Sequence, residues 1–171
     1  MKVSIYIALS ANGLISNQRG VPDWLSQEYG QGFMAICQKT KAVIMGKTTY
    51  NILAPDYLPL KNDGTTVVLT TDIEAKSVNP TVVFTNKEPK DIVSMLEEKG
   101  HTEVVIIGGT ITVSEFMSSG AVDDIYLVIE PVLFGNGLPL FKDTEFEYKL
   151  NLIEIIKLNT NTIQLHYTIR K

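Results

Sequence analysis

Two segments of this chain run a short apolar strand straight into glycine and a helix start: Ala42-Val43-Ile44-Met45-Gly46-Lys47-Thr48-Thr49-Tyr50 and Val104-Val105-Ile106-Ile107-Gly108-Gly109-Thr110-Ile111-Thr112. Each junction leaves backbone N–H groups at a helix N-terminus, where phosphate binds well. Taken singly, a glycine after a strand only lets the chain turn. Two such cradles, flanked by hydroxyls and a lysine, suit a ligand with phosphates at separated points, as in a dinucleotide. Neither segment has the G-x-G-x-x-G spacing of a Rossmann fingerprint or the G-x-x-x-x-G-K-[ST] of a P-loop.

Apolar, β-branched runs recur at 3–9, 42–45, 66–69, 82–84, 103–107, 124–132, 151–158 and 162–169, with helix-like stretches near 25–38, 48–54, 89–99 and 110–119. The alternation predicts an α/β fold with a mixed, mainly parallel central sheet and helices on both faces. Asn159-Thr160-Asn161 reads as the turn of a C-terminal antiparallel hairpin. Ile92, Val93 and Leu96 mark the buried face of the third helix, and Gly100 stops it. Residues 54–65, with Pro55, Pro59 and Gly64, read as a long loop, either a binding rim, the preferred reading, or merely an exposed connection.

With 171 residues and 44% hydrophobic composition, residues 1–171 are expected to form one domain. A net charge of -4 without a run of Lys or Arg argues against nucleic acid. Residues 1–9 resemble a signal peptide only superficially, because polar residues follow at once, and a first strand is the better reading. No stretch approaches the roughly 20 apolar residues of a membrane span. Cys37 is a lone cysteine, read as a small buried hydrophobe, and no metal-type spacing occurs. A cytoplasmic protein without a metal is expected.

Together with Val3-Ser4-Ile5-Tyr6-Ile7-Ala8-Leu9-Ser10-Ala11-Asn12-Gly13-Leu14-Ile15-Ser16 and Gly135-Asn136-Gly137-Leu138-Pro139-Leu140-Phe141, the two junctions resemble the dihydrofolate reductase superfamily. The resemblance covers essentially the whole chain and points to the branch of the riboflavin-pathway pyrimidine reductases, the RibD C-terminal domain. It implies an NADPH-dependent oxidoreductase, in which a hydride passes to a pterin-like or pyrimidine-like substrate. It also implies that Gly46, Lys47, Thr48 and Thr49 hold cofactor phosphates, and that Thr70 and Thr71, helped by Lys76, meet the adenosine 2′-phosphate. Gly108 and Gly109 would let the pyrophosphate approach, Thr110, Ile111 and Thr112 would open the facing helix, and Ala8 and Ile15 would contact the nicotinamide. That branch commonly pairs through sheet edges, and the run from Ile125 to Phe134 offers such an edge for a homodimer.

The catalytic acid is where the chain departs from its relatives. By position the folate-reductase carboxylate falls at Tyr29, with Glu28 one residue away, so both are candidates. One residue turns a helical side chain by about 100°, which separates their directions. Gly30 and Gly32 weaken a helix there, either leaving room for a bulky substrate or delaying the helix start. Asn12 stands where the pyrimidine-reductase branch often has aspartate, and Ile107 where it often has an acid before the double glycine. Glu130, before Pro131, could face the pocket as an acid or hydrogen-bond acceptor or lie on a subunit interface, and a strand-end surface carboxylate is the preferred reading. The alternative to a reductase is a non-catalytic nucleotide-binding module of the same fold.

Overall fold

The computed structural model describes residues 1–58, 64–72 and 74–170, with the backbone alone described for 55–57. Its elements in chain order are β1 (Lys2–Ser10), β2 (Leu14–Asn17), α1 (Gln27–Thr40), β3 (Ala42–Gly46), α2 (Lys47–Tyr57), β4 (Thr65–Leu69), β5 (Val82–Thr85), α3 (Pro89–Glu98), β6 (Glu103–Ile106), α4 (Thr110–Ser118), β7 (Asp124–Glu130), β8 (Gly137–Pro139), β9 (Leu150–Lys157) and β10 (Ile163–Ile169).

Eight strands form one sheet in the order β5-β4-β3-β6-β1-β7-β10-β9. From β5 to β7 all neighbours are parallel, whereas β10 runs antiparallel to both β7 and β9. The mixed sheet and its closing hairpin are as the sequence predicts. Asn159 shapes the hairpin turn by accepting the N–H groups of Asn161 and Thr162. Two short strands, β2 and β8, pair separately beside the sheet.

Alternating residues of the central strands feed two cores, as a period of two dictates. Ile5, Ile7, Ile44 and Ile106 pack with Ile92 and Leu96 of α3 and with Val113 and Phe116 of α4. Tyr6, Ala8, Met45 and Val105 face the other way, onto Phe33 and Cys37 of α1, with Tyr50 and Leu53 of α2 behind them. Helices α1 and α2 therefore cover one face, and α3 and α4 the other.

Helix α1 starts at Gln27, within the stretch expected near 25–38 and without the delay past Gly32 that the glycines left open, because Ser26 caps it by accepting the N–H of Tyr29. Three readings change. Helix α2 runs on to Tyr57, which shortens the expected loop at 54–65, and its residues 59–63 lie outside the described residues. Strand β7 lies inside the sheet, between β1 and β10, so residues 125–130 are no edge and β9 is. Glu130 is 1% exposed, not a surface carboxylate, and it accepts the backbone N–H and hydroxyl of Ser26 and the hydroxyl of Thr162. Among the described residues, no helix is long and apolar enough to cross a membrane.

Candidate cofactor and substrate cleft

Strands β1, β3, β4 and β6 end on one side of the sheet, and the chain's order reverses between β5 and β6. Open α/β sheets take ligands outside their carboxyl ends at such places. A cleft of about 1420 Å³ lies there. Pockets for one small molecule hold roughly 300–1,000 Å³, so a dinucleotide and a second ligand have room together.

Both glycine junctions open into this cleft. The Gly46 N–H donates to the Gly108 carbonyl at 2.9 Å, joining one junction to the other. Gly46 and Gly109 are the N-caps of α2 and α4, and neither helix has a side-chain cap. Their first-turn N–H groups therefore stay available to an anion. Gly108 has φ +121, a conformation that L side chains rarely adopt, and the 108–109 peptide is cis. A Cβ on Gly46 would stand 3.1 Å from the Thr112 hydroxyl, so a side chain there would crowd the cradle. The Thr49 hydroxyl lies 3.6–3.7 Å from where Cβ atoms of Gly108 and Gly109 would be. Two uncapped helix starts, a bare double glycine and adjacent hydroxyls fit the phosphates of a nucleotide cofactor.

Apart from Lys76, the residues expected around the cofactor line the cleft: Ala8, Ile15, Gly46 to Thr49, Thr70, Thr71 and Gly108 to Thr112. Several are already engaged. Lys47 reaches the Asp72 carboxylate at 2.6 Å, and that bond, with the Glu74 N–H beside it, holds the Asp72 carboxyl below its ordinary range. The Thr70 hydroxyl accepts the Asp72 N–H, and the Thr110 hydroxyl donates to the Pro139 carbonyl, so Thr110 offers the ligand its backbone. Lys76 is not among the lining residues.

The two catalytic candidates part company. Tyr29 lines the cleft, its ring stacked on Tyr6 at 5.4 Å. Burial pushes its hydroxyl well above the ordinary tyrosine range, with a backbone contact at Ala8 acting the other way. Glu28 turns away and accepts the Asn159 side-chain N–H at 2.9 Å, which holds its carboxyl below the usual value. The structure therefore does not bring Glu28 to the cleft. Asn12 has a purpose that aspartate could not serve, since its amide donates to the Phe134 carbonyl while its oxygen accepts the Phe134 N–H. Phe134 in turn meets edge-on the ring of Trp24, which lines the cleft.

Sequence reasoning passed over two sets of lining residues. Gln27, Gln31, Met34, Ala35 and Gln38 form one stripe of α1. Their spacing of four, three, one and three was the signal available. Glu115 of α4 also lines the cleft, its carboxyl raised by burial and then by Glu88.

The profile of the RibD C-terminal domain matches residues 1–164. The uncharacterized protein YwjB of Bacillus subtilis (strain 168) is 31% identical over 172 residues, covering 97% of each chain. A pyrimidine reductase-like protein from Corynebacterium diphtheriae superposes with TM-score 0.82 at 16% identity, covering 99% of this chain and 92% of that one. Dihydrofolate reductase from Enterococcus faecalis, complexed with NADP(H), superposes with TM-score 0.67 at 20% identity, covering 100% and 97%.

Proposed function

Because the chain belongs to the RibD C-terminal domain family, we propose that it is an NADPH-dependent reductase of a small pterin-like or pyrimidine-like heterocycle. The observation that carries this reading is the pair of uncapped helix starts at Gly46 and Gly109, joined through the Gly46 N–H and facing one cleft. When bound, the cofactor supplies a hydride to the carbon of a ring C=N or C=O bond, leaving as NADP⁺, while the heteroatom takes one proton.

In this reading, the first-turn N–H groups of α2 and α4 bind the phosphates, and Lys47 adds a charge once it leaves Asp72. Ala8 and Ile15 form the apolar contact for the nicotinamide. Tyr29, kept neutral by burial, holds its proton as a hydrogen-bond donor toward the reduced heteroatom. The reading also takes the protein to pair with a second copy across the open face of β10 and β9.

Titration with NADPH, and in parallel NADH, tests the reading through Trp24 fluorescence and thermal stability, since a ligand bound only to the folded state raises it. Stabilisation by NADPH is expected, and Lys47→Ala should weaken it by about 1.5–3 kcal/mol, the worth of a charge-assisted contact. No response to either dinucleotide would refute the reductase. Binding of NADPH without its oxidation by any pterin or pyrimidine would instead favour a nucleotide-binding module.

A further inference from the structure

Charge is unevenly distributed around the cleft. Lys47 stands at the start of α2, Lys87 and Glu88 immediately before α3, Glu115 on α4 and Lys142 after β8. The α1 flank is different: its stripe of Gln27, Gln31, Met34, Ala35 and Gln38 offers three carboxamides, a thioether and a methyl group. Trp24, Tyr29 and Phe33 complete this end with aromatic surface.

The charges that the sequence places around this flank are each spent elsewhere. Glu28 bonds Asn159, Asp23 pairs with Arg19 at 2.9 Å, and Lys39 pairs with Glu103 at 3.0 Å. Glu130 is consumed by Ser26 and Thr162. Among the described residues, every side chain that the α1 flank turns into the cleft is therefore uncharged at neutral pH.

A carboxamide is both acceptor and two-fold donor, so it pairs with the adjacent N–H and C=O of a ring lactam. An anion placed against the exposed carboxamides gains no counter-charge from them, and one pressed onto Trp24, Tyr29 and the buried Phe33 would lose water as well, which is unfavourable. On the proposed reductase reading, we infer that the α1 flank selects an uncharged, lactam-bearing heterocycle, the free base or its nucleoside, and rejects forms carrying a phosphate or carboxylate. The flank reads the ring, and the charged residues elsewhere around the cleft are left to the dinucleotide.

Paired ligands that share one ring test this on the full chain, with and without saturating NADPH: pterin against pterin-6-carboxylate, and uridine against uridine 5′-monophosphate. Calorimetry should show the uncharged member of a pair binding at least ten-fold tighter. Equal or tighter binding of the charged member, or no binding of any of the four, would overturn the inference. Gln31→Lys places a cation on an exposed position of the stripe at nearly equal helix propensity. It should improve the charged members at least ten-fold over the parent protein. An unchanged preference would remove α1 as the element that reads charge. NADPH binding is scored separately without heterocycle, so a failed reductase reading is told apart from a failed charge preference.

Discussion

Gly32 lies inside α1, where glycine costs about 1 kcal/mol against alanine, and the structure shows what that cost accommodates. A Cβ there would overlap the Tyr6 hydroxyl and stand 3.2 Å from Cζ of the same ring. Tyr6 is 3% exposed and stacked on Tyr29, so it has little room to withdraw. Overpacking of this kind costs roughly 1–3 kcal/mol, enough to cancel the gain in propensity. Gly32→Ala is expected to lower stability to urea unfolding, and adding Tyr6→Phe should restore most of the loss. Additive effects of the two changes would contradict the contact. The sequence marks Gly30 and Gly32 as weak points of a helix, yet Tyr6 lies far away along the chain and only tertiary packing joins them. The same limit hid the Lys47–Asp72 pair and the turning of Glu28 toward Asn159. The glycines of the two strand-to-helix junctions were legible because backbone conformation and helix starts are local properties, whereas side-chain partners are not.

At the level of elements, the buried Glu130 ties the end of β7 to the start of α1 and to the hairpin beyond Asn159. Hydrogen bonds to a charged group contribute about 1.5–3 kcal/mol each, and a deleted acceptor leaves its donors unpaired. Glu130→Ala should therefore lose roughly 3 kcal/mol or more in chemical denaturation, and Glu130→Gln, which keeps an acceptor, should lose less. Equal stability of Glu130→Ala and the parent would show that the tether carries nothing. A second link, Asn159 to Glu28, makes stability depend on pH. The Glu28 carboxyl is depressed in the folded state. Its contribution is present above the ordinary glutamate value of about 4.3 and disappears as the pH falls through the lower folded value. Asn159→Ala should flatten that acid limb of the stability profile. Strands and helices could be read from β-branched runs and apolar periodicity, down to the closing hairpin. The pairing of β2 with β8 could not, since strands of four and three residues carry too little pattern.

Across the whole molecule, one face of the sheet is covered unevenly. Helices α3 and α4 pack over β4, β3, β6 and β1, while Leu140, Phe141, Phe146 and Tyr148 extend the same core toward Ile125 and Ile169. From that cover outward the strands are in register as apolar rows, the first starting at the buried Ile125: Ile125–Tyr167–Leu152 and Leu127–Leu165–Ile155, with Ile129–Ile163–Lys157 ending in a charge. Residues directly opposite on neighbouring strands share a face, so these rows form one surface. Leu152 is 50% exposed and Ile155 60%, and Ile153 stands 55% exposed where the β9–β10 register shifts. The opposite face carries Tyr126, His166 and Glu154 instead. A two-fold axis can lay this surface on its own copy, with the edge of β9 contributing to the contact. Three strands about 4.8 Å apart and six residues long cover roughly 300 Å² in projection. A standard interface takes about 800 Å² from each partner, so the sheet face alone supports a weak, concentration-dependent dimer. Sedimentation equilibrium should find monomer and dimer exchanging as concentration rises. Ile155→Glu should shift that equilibrium to monomer while leaving NADPH binding intact, because Ile155 lies outside the cleft. A parent chain that stays monomeric at every concentration would mean that this surface faces water in the working protein.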